Sequence, residues 1–329
     1  MRTLYPLKFT PIPREMIWGG NKLQHNYNKG FPPEARIGES WEISGYPGKL
    51  SVAANGFLQG NTIEELIEVY MGDLVGEKVF DRYGIEFPLL IKLIDANDNL
   101  SIQVHPDDEL AQNRHNGRGK TEMWYVLDAE PGAELISGFN TEVSRGLFLD
   151  KLNVGKLPEM LNFEKVAPGD VFFMPAGRIH AIGKGIVLAE IQQCSDITYR
   201  VYDWNRVDAE GKPRELHVDL ALDAIDYTWH NDYKTVVPDR EDVPVLLADC
   251  QWFTTQRLLF KRRLPRDYSL ADSFVIHICT KGGYNIYYNG VKDRVAVSRG
   301  ETVLIPAVFD EVVLETSGIT EILEVYIKN

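Results

Sequence analysis

Two segments of the chain, APGDVFFMPAGRIHAIG (residues 167–183) and SRGETVLIPAVFDEVVL (residues 298–314), share one pattern. In each, a Gly followed by an acidic residue starts a β-type apolar run, and a Pro follows six residues after the Gly. Aligning the two Gly residues sets His180 opposite Glu311, so the first copy carries a His that the second copy lacks. The pattern therefore indicates a duplicated β-barrel in which only the first copy keeps chemistry.

Short strand patterns, separated by Gly, Pro, Asn and Asp, dominate the rest of the chain. A series of this kind predicts a sandwich or a barrel. The predicted strands are residues 40–44, 89–93, 100–105, 122–127, 134–138, 171–174, 187–192 and 198–202. Helical patterns occur at residues 63–71, 141–152 and 216–225. Asn61 and Thr62 can cap the first of these helices.

A polar stretch, WHNDYKTVVPDREDVP (residues 229–244), follows the third helical pattern and is typical of a linker. Strand patterns resume at Gln251. We therefore expect two domains, residues 1–240 with the helical segments and residues 241–329 without visible ligands.

The composition is that of a globular protein and argues against several classes of partner. The chain is 44% apolar and 25% charged, and its formal net charge of −13 argues against nucleic acid, which needs a basic footprint. Three cysteines lie far apart, and no apolar run approaches the roughly 20 residues of a membrane span. With no signal-like start, these features predict a cytoplasmic enzyme or binding protein with reduced thiols and a small-molecule partner.

Several side chains with lone pairs stand in separate strand motifs. In LSIQVHPDDEL (residues 100–110), Gln103 and His105 lie two residues apart and share one strand face. GKTEMWYVL places Glu122 on the same face as a Trp, and His180 follows a Pro/Gly turn. Two imidazoles, one carboxylate and an amide oxygen suit a single divalent metal, either zinc or Fe(II).

The motifs QVHPDD, GKTEMWYVL and PAGRIHAIG, followed by AEIQQCSDITYRVYDWNR, resemble those of the short bacterial type I mannose-6-phosphate isomerases. The likeness runs from MIWGG (residues 16–20) and GESWEIS (residues 38–44) to the C-terminal barrel. It implies a mainly β fold of two cupin (jelly-roll) barrels with a small helical insertion in the N-terminal half. It also implies zinc-dependent exchange of mannose 6-phosphate and fructose 6-phosphate through a cis-enediol(ate). The zinc ligands carry over to Gln103, His105, Glu122 and His180, one ion per chain.

The resemblance also supplies catalytic candidates around the metal. Arg200 matches the arginine beside the reacting sugar, where it would stabilise charge because it stays protonated. Lys92 and Lys120 match lysines of the cleft, and a lysine near a metal and other cations can have its pKa lowered towards that of a base. Glu190 and Asp196 match acidic positions, either of which could carry the proton.

One position departs from the family pattern. Larger members carry a His just before the lysine that corresponds to Lys120, whereas this chain has Gly119. A mechanism that requires that His for ring opening is in doubt for this chain.

Other functions remain open at this stage. An Fe(II)-dependent cupin oxygenase would use the same three ligands, consume oxygen and take a neutral organic substrate. The lysines and Arg200 instead favour a phosphorylated substrate that forms an oxyanion. A non-catalytic sugar-binding cupin would tolerate loss of Lys120 and Arg200 with the metal retained. A different sugar phosphate is a further alternative within the isomerase class.

Structural roles are the competing explanation for several residues. An ion pair to Asp196 or Asp203 would account for Arg200 without any function. Trp18 and Trp41 are predicted to be core or cavity wall, and the Asp107–Asp108 pair is predicted to cap a helix. Structural or solvent-facing positions are expected for His25, His115, His217, His230 and His277.

Overall fold

The computed structural model describes residues 4–207 and 210–328, and within these ranges the protein is mainly β, as predicted. The strands up to residue 240 are β1 (Leu7–Lys8), β2 (Ile12–Gly20), β3 (Ile37–Ser44), β4 (Leu89–Ala96), β5 (Ile102–Val104), β6 (Glu122–Ala129), β7 (Glu134–Phe139), β8 (Leu161–Lys165), β9 (Val171–Met174), β10 (His180–Ala181), β11 (Ile186–Gln193), β12 (Tyr199–Tyr202) and β13 (Lys234–Thr235). The later strands are β14 (Val245–Asp249), β15 (Thr254–Phe260), β16 (Leu264–Asp267), β17 (Val275–Lys281), β18 (Gly283–Tyr288), β19 (Asp293–Ser298), β20 (Thr302–Ile305), β21 (Glu311–Glu315) and β22 (Thr320–Tyr326). The helices are α1 (Lys22–Asn26), α2 (Ile63–Val75), α3 (Glu77–Tyr83), α4 (Asp108–His115), α5 (Arg145–Asn153) and α6 (Val218–Ala224), with 3₁₀ turns at Gly56–Leu58 and Leu157–Met160.

The first barrel consists of a seven-stranded sheet, in the order β13-β9-β6-β11-β4-β2-β3, and a five-stranded sheet, in the order β12-β5-β10-β7-β8. Neighbouring strands are antiparallel. The first five residues of β6 are all buried, because one face lines the barrel and the other packs against the rest of the protein. Glu122 and Trp124 therefore face the barrel interior, while Met123 and Tyr125 belong to the core outside it.

The second barrel repeats this topology. Its six-stranded sheet has the order β1-β20-β17-β22-β15-β14, and its four-stranded sheet has the order β16-β21-β18-β19. The series β20-β17-β22-β15 corresponds to β9-β6-β11-β4, and β16-β21-β18-β19 corresponds to β5-β10-β7-β8. Gly169 and Gly300 precede equivalent strands with φ angles of 93° and 85°, a region that Gly adopts without strain. The predicted duplication into two cupin barrels is confirmed.

The strand register shows which residues of the second barrel replace the predicted ligands. His180 and Glu311 begin the equivalent strands β10 and β21. Glu122 pairs with the last residue of β9, and the residue that pairs with the last residue of β20 is Val275. The second barrel therefore has an apolar residue in place of the carboxylate and an exposed Glu in place of the second imidazole.

A closed polar network fills the interior of the second barrel instead. Arg266 donates two hydrogen bonds to the buried Glu324, from Nε at 3.0 Å and from Nη2 at 2.7 Å. Tyr268 donates to the same carboxylate at 2.6 Å, and His277 lies between the hydroxyls of Tyr268 and Tyr284 at 2.9 Å from each. Burial alone would raise the pKa of Glu324, but His277 and Arg266 lower it to about 2. These groups already satisfy one another, so the network stabilises the barrel.

The large sheets of the two barrels share one apolar core. Ile91 and Ile191 of the first barrel belong to it together with Ile276 and Val325 of the second. The helical insertion between β3 and β4, formed by α2 and α3, packs into the same core. The predicted cap of α2 is present at Thr62, which exchanges hydrogen bonds with residue 65 in a capping box.

No helix within residues 4–207 or 210–328 combines the length and the apolar character that crossing a membrane requires.

Candidate metal centre and active site

Three strands of the first barrel bring His105, Glu122 and His180 together. His105 follows β5, Glu122 begins β6, and His180 begins β10. One ligand atom from each residue can be chosen so that all three lie within 4.8 Å of one another. Glu122 Oε1 is 3.4 Å from His180 Nε2, and Glu122 Oε2 is 3.6 Å from His105 Nε2. All three side chains are buried, so the cluster lies in the interior of the barrel.

Backbone carbonyls fix the tautomers of the two histidines. His105 Nδ1 is 2.8 Å from the carbonyl oxygen of Ile197, and His180 Nδ1 is 2.8 Å from that of Arg178. A carbonyl oxygen only accepts, so each Nδ1 carries the proton and each Nε2 presents a lone pair towards Glu122. Burial and the nearby Lys120 hold the pKa of His105 well below its usual range. Burial lowers the pKa of His180 to about 4, so both rings are neutral at pH 7.

Glu122 is a buried carboxylate with unused acceptor capacity. Both of its oxygens are inaccessible to solvent, and Oε1 accepts no hydrogen bond from the described residues. Burial, and then the charge of Glu190, raise its pKa. The ammonium of Lys120 lies 3.0 Å from Glu122 Oε2 and 3.2 Å from His105 Nε2, so it partly compensates this charge. Two neutral imidazole nitrogens that face one buried carboxylate form a donor set that fits a divalent cation.

Gln103 lies next to this cluster. It is the strand partner of His180, and its Nε2 is 3.4 Å from His180 Nε2. Rotating the amide by 180° exchanges its oxygen and nitrogen, and Ser101, whose hydroxyl is 3.3 Å from Gln103 Oε1, can bond either atom. Gln103 is therefore close enough to the cluster to supply a fourth donor.

A cavity of about 260 Å³ adjoins the cluster through Gln103 and Lys120, and we call it the substrate cavity. The predicted residues that line it are Lys92, Gln103, Lys120, Glu190, Asp196 and Arg200. Among the other lining residues, Glu39 and Arg214 are charged and had no predicted role in the site's chemistry, and Trp18 was predicted as core or cavity wall. The structure thus gathers every predicted catalytic residue at one cavity.

The two lysines of the substrate cavity are held by carboxylates. Lys92 Nζ is 3.1 Å from Glu190 Oε1 and 3.7 Å from Glu39 Oε2. Burial alone would lower the pKa of Lys92, but Glu39, Glu190 and Asp196 raise it. The expected lowering of a lysine pKa therefore does not occur at Lys92, which stays an ammonium ion. Lys120 lies between Glu122 and Glu190, 3.9 Å from the latter.

The two acidic candidates for proton transfer differ in environment. Glu190 is buried, and its Oε2 accepts a hydrogen bond of 3.0 Å from Trp124 Nε1. Its Oε1 is buried and faces the ammonium groups of Lys92 at 3.1 Å and Lys120 at 3.9 Å. Burial would raise the pKa of Glu190, but Lys92 and Lys120 lower it to about 2. Asp196, in contrast, is exposed at the cavity.

Arg200 does not form the ion pairs that would explain it structurally. It lies opposite Gln103 in the pairing of β12 with β5. Its Nη1 donates to the carbonyl oxygen of Glu215 at 2.8 Å, while Nε is buried without an acceptor among the described residues. Asp203, the proposed alternative partner, accepts hydrogen bonds from Arg206 and Arg214 instead.

Gly119, at the position where larger family members carry a His, cannot be replaced by a larger residue without movement. A Cβ atom there would lie 2.6 Å from both the carbonyl carbon of Asp107 and the amide nitrogen of Asp108. The loop is held in this position by a hydrogen bond of 2.8 Å from Gly119 N to Asp108 Oδ1. Close packing on the start of α4 therefore excludes a side chain at this position.

Local contacts confirm the expectations for Trp18, Trp41, Asp107 and His115. Trp18 lines the substrate cavity and Trp41 is fully buried. Asp107 caps α4, since its side chain accepts a hydrogen bond of 2.8 Å from Leu110 N. His115 contacts the hydroxyl of Tyr199 at 2.8 Å, as expected for a structural residue.

Sequence reasoning gave no role to Glu39 and Arg214. In GESWEIS, Glu39 alternates with Trp41 and Ile43, so an acid on an otherwise apolar face was an available signal. Arg214 lies in a segment without strand or helix periodicity. Its position depends on Asp203, which is eleven residues away, and no local pattern indicates this contact.

Comparison with known proteins gives concordant matches. A family model described as phosphomannose isomerase type I, catalytic domain, matches residues 7–136. The chain is 42% identical over 256 residues to mannose-6-phosphate isomerase ManA of Bacillus subtilis (strain 168), covering 77% of this chain and 78% of that protein. It is 33% identical over 317 residues to the probable mannose-6-phosphate isomerase GmuF of the same organism, covering 94% and 96% respectively. The crystal structure of mannose 6-phosphate isomerase from B. subtilis superposes with a TM-score of 0.87 at 31% identity, covering 98% of this chain and 99% of that chain.

Proposed function

This chain belongs to the type I mannose-6-phosphate isomerase family, and we propose that it interconverts mannose 6-phosphate and fructose 6-phosphate in the substrate cavity. The observation that carries this proposal is the buried cluster of His105, Glu122 and His180 beside a cavity lined by both basic and acidic groups. An aldose–ketose exchange needs a cation for a developing oxyanion and a group that moves a proton. The cavity offers both.

The residues that would hold a metal ion are His105, Glu122 and His180, with Gln103 as a fourth donor. We propose that the ion is zinc, one per chain, because two imidazoles and a carboxylate suit zinc and leave a position for substrate. When bound, a divalent cation would stabilise the negative charge that develops on the sugar oxygens.

The protein's own groups account for the remaining requirements. Arg200, beside Gln103, supplies a permanent positive charge near the reacting carbons. Glu190 is buried, ionised and lines the substrate cavity, and we assign it the proton transfer. The carboxylate takes the proton from C2 to give a cis-enediol(ate) and returns it to C1, while the O2 hydroxyl proton passes to O1. Lys92 and Lys120, both ion-paired to Glu190, keep this carboxylate ionised and in place.

We propose that residues 1–240 form the catalytic unit and residues 241–329 a scaffold. Strand β13 belongs to the first barrel and β14 to the second, which supports a boundary between them. Strand β1 is an exception, because it pairs with β20 of the second barrel. The three free cysteines fit a reducing compartment, and we propose the cytoplasm.

Chelation tests the proposed function directly. A coupled assay for fructose 6-phosphate formed from mannose 6-phosphate should show activity that a chelator abolishes and that added Zn²⁺ restores. The reaction should consume no oxygen, which separates the isomerase from an Fe(II)-dependent oxygenase. A fully active, metal-free enzyme would contradict the metal-dependent isomerase, and binding of the sugar phosphate without turnover would indicate a non-catalytic sugar-binding protein.

Arg200→Ala should keep its metal and lose most of its turnover. We expect kcat to fall by roughly 100-fold, because a fixed charge that stabilises a developing oxyanion is lost. Steady-state kinetics and metal analysis of the purified variant measure the two quantities. A variant with wild-type kcat would show that Arg200 has no catalytic role, and equal loss of metal and activity would assign it to the metal centre instead.

A further inference from the structure

We propose that Arg214, oriented by Asp203, recognises the phosphate group of the substrate. This inference rests on the proposed function, because it assigns the phosphate of the sugar phosphate to one end of the substrate cavity. Four basic side chains line this cavity, Lys92, Lys120, Arg200 and Arg214. Their surroundings differ enough to separate their roles.

The two lysines are already committed to carboxylates of the protein. Lys92 is 2% exposed and lies between Glu39 and Glu190, and Lys120 is 4% exposed and lies between Glu122 and Glu190. A phosphate that bound either ammonium would have to approach these buried carboxylates. The resulting repulsion makes the lysines poor phosphate ligands. The phosphate is therefore left to the arginines.

Gln103 links Arg200 to the metal cluster, and Arg214 follows beyond Arg200. Arg200 lies opposite Gln103, which in turn contacts His180, so Arg200 is placed beside the reacting carbons C1 and C2. Arg214 is placed beside Arg200, because Arg200 Nη1 donates to the carbonyl oxygen of its chain neighbour Glu215 at 2.8 Å and both arginines line the substrate cavity. The phosphate is attached to C6, four carbons beyond C2. The next cation after Arg200 is therefore where the phosphate is expected.

Asp203 holds Arg214 in a fixed orientation. Arg214 donates to the two oxygens of Asp203 from Nε at 2.7 Å and from Nη2 at 2.5 Å. Arg206 donates to the same carboxylate at 2.6 Å. Burial would raise the pKa of Asp203, but these two arginines lower it. A guanidinium fixed along one edge presents its remaining N–H groups in a planar fork, the arrangement that suits a phosphate.

The charges around Asp203 leave a local excess of positive charge. Arg206 is paired with Asp98 at 3.5 Å as well as with Asp203 and does not line the cavity. Arg200 and Arg214 both line it, and Arg200 donates to a backbone carbonyl and not to Asp203, so these two arginines carry the local excess although the whole chain has a net charge of −13. The side chain of Arg214 is 24% exposed, so an anion can reach it. A phosphate dianion would balance this cluster.

The larger cavity on the other side of Asp196 is less suited to a phosphate. Its volume is about 480 Å³, and three acidic residues, Glu64, Glu86 and Asp196, line it. Its arginine, Arg118, is paired with Glu86. Acidic groups outnumber basic ones there, so a dianion would be repelled.

Arg214→Gln tests the inference, with Arg206→Gln as the matched control. Both substitutions remove one of the two arginines that hydrogen-bond Asp203, but Arg206 does not line the substrate cavity. For Arg214→Gln we expect the KM for mannose 6-phosphate to rise by about 30-fold or more with kcat within about 3-fold, the pattern of lost substrate binding. Inorganic phosphate should also lose its ability to inhibit competitively. Arg206→Gln should change neither value by more than about 3-fold.

A second variant and a binding measurement keep the test decisive. Arg214→Lys keeps the charge but loses the fork, so its KM should lie between those of the wild type and Arg214→Gln. An unchanged KM and unchanged phosphate inhibition in Arg214→Gln would overturn the inference, and so would an equal rise in Arg206→Gln. Calorimetric titration of the wild type and both variants with fructose 6-phosphate needs no turnover. If the wild type does not isomerise the sugar but binds it through Arg214, the proposed function fails and the phosphate assignment stands.

Discussion

Glu122→Ala and His180→Ala are each expected to lose bound zinc and isomerase activity together. Each substitution removes one of three buried donors whose ligand atoms lie within 4.8 Å of one another. The two donors that remain cannot hold the ion at the affinity of the full set, and without it the developing oxyanion loses its main stabilisation. We expect activity to fall by roughly 1,000-fold or more, to the background of the assay.

Metal content and thermal stability separate this effect from unfolding. Wild-type protein should gain thermal stability on addition of Zn²⁺, because an ion that binds only the folded state stabilises it by mass action. Glu122→Ala should stay folded without metal, because Lys120, which loses its ion pair with Glu122 at 3.0 Å, keeps the carboxylate of Glu190 at 3.9 Å. The zinc-dependent gain should disappear in both variants.

His277→Ala is the matched control for His180→Ala. His277 is a buried histidine of the second barrel, held between two tyrosine hydroxyls. Its replacement should lower thermal stability but leave the zinc content and the zinc-dependent gain unchanged. Stoichiometric zinc in either Glu122→Ala or His180→Ala would show that these residues do not form the metal site.

Apolar runs and motif repetition were enough to predict most of the fold. Strands such as β6 and β11 were recognisable because each is eight residues long and largely a continuous apolar run, as expected for a strand buried on both faces. The Gly and Pro spacing around β9 and β20 revealed the duplication, since both strands need the same turn geometry. The short helices α1 and α3 were not predicted. Their N-cap residues make no side-chain hydrogen bond, and distant aspartates cap them instead: Lys22 N donates to Asp95 at 2.8 Å and Glu77 N to Asp272 at 2.9 Å. Their positions therefore depend on tertiary contacts that no local pattern indicates.

The residues of the candidate site were likewise predictable only where a local pattern indicated them. Gln103 and His105 were indicated by strand parity, and Glu122 by sharing a face with Trp124. The ionisation of Lys92 was not predictable in this way, because it depends on carboxylates brought from β3, β11 and the segment after β11. Arg214 was missed for the same reason, since a distant aspartate positions it. Local patterns identify donors, whereas the electrostatic balance between them follows from the assembled barrel.

Glu190→Gln is expected to keep its metal and its affinity for substrate but to lose most of its turnover. A glutamine has the same shape and can still accept the hydrogen bond from Trp124 that Glu190 Oε2 receives at 3.0 Å. It cannot take a proton from carbon, so we expect kcat to fall by about 100- to 10,000-fold, the usual contribution of a positioned acid–base group. Loss of solvent deuterium exchange at the C2 position of mannose 6-phosphate should accompany the fall in kcat.

Two comparison variants test whether the fall in kcat of Glu190→Gln arises because Glu190 no longer transfers the proton. Glu39→Gln removes the other close carboxylate of Lys92, which lies 3.7 Å from its ammonium, and so tests the charge balance at Lys92 without touching the proton carrier. Asp196→Asn removes the second acidic candidate, which is exposed and therefore poorly shielded from water. Both should retain deuterium exchange and keep kcat within about 10-fold of the wild type, because neither removes the buried carboxylate that we assign to proton transfer. If Asp196→Asn abolishes exchange while Glu190→Gln retains it, the proton is carried at the exposed end of the cavity, and Glu190 serves only to hold the two lysines in place.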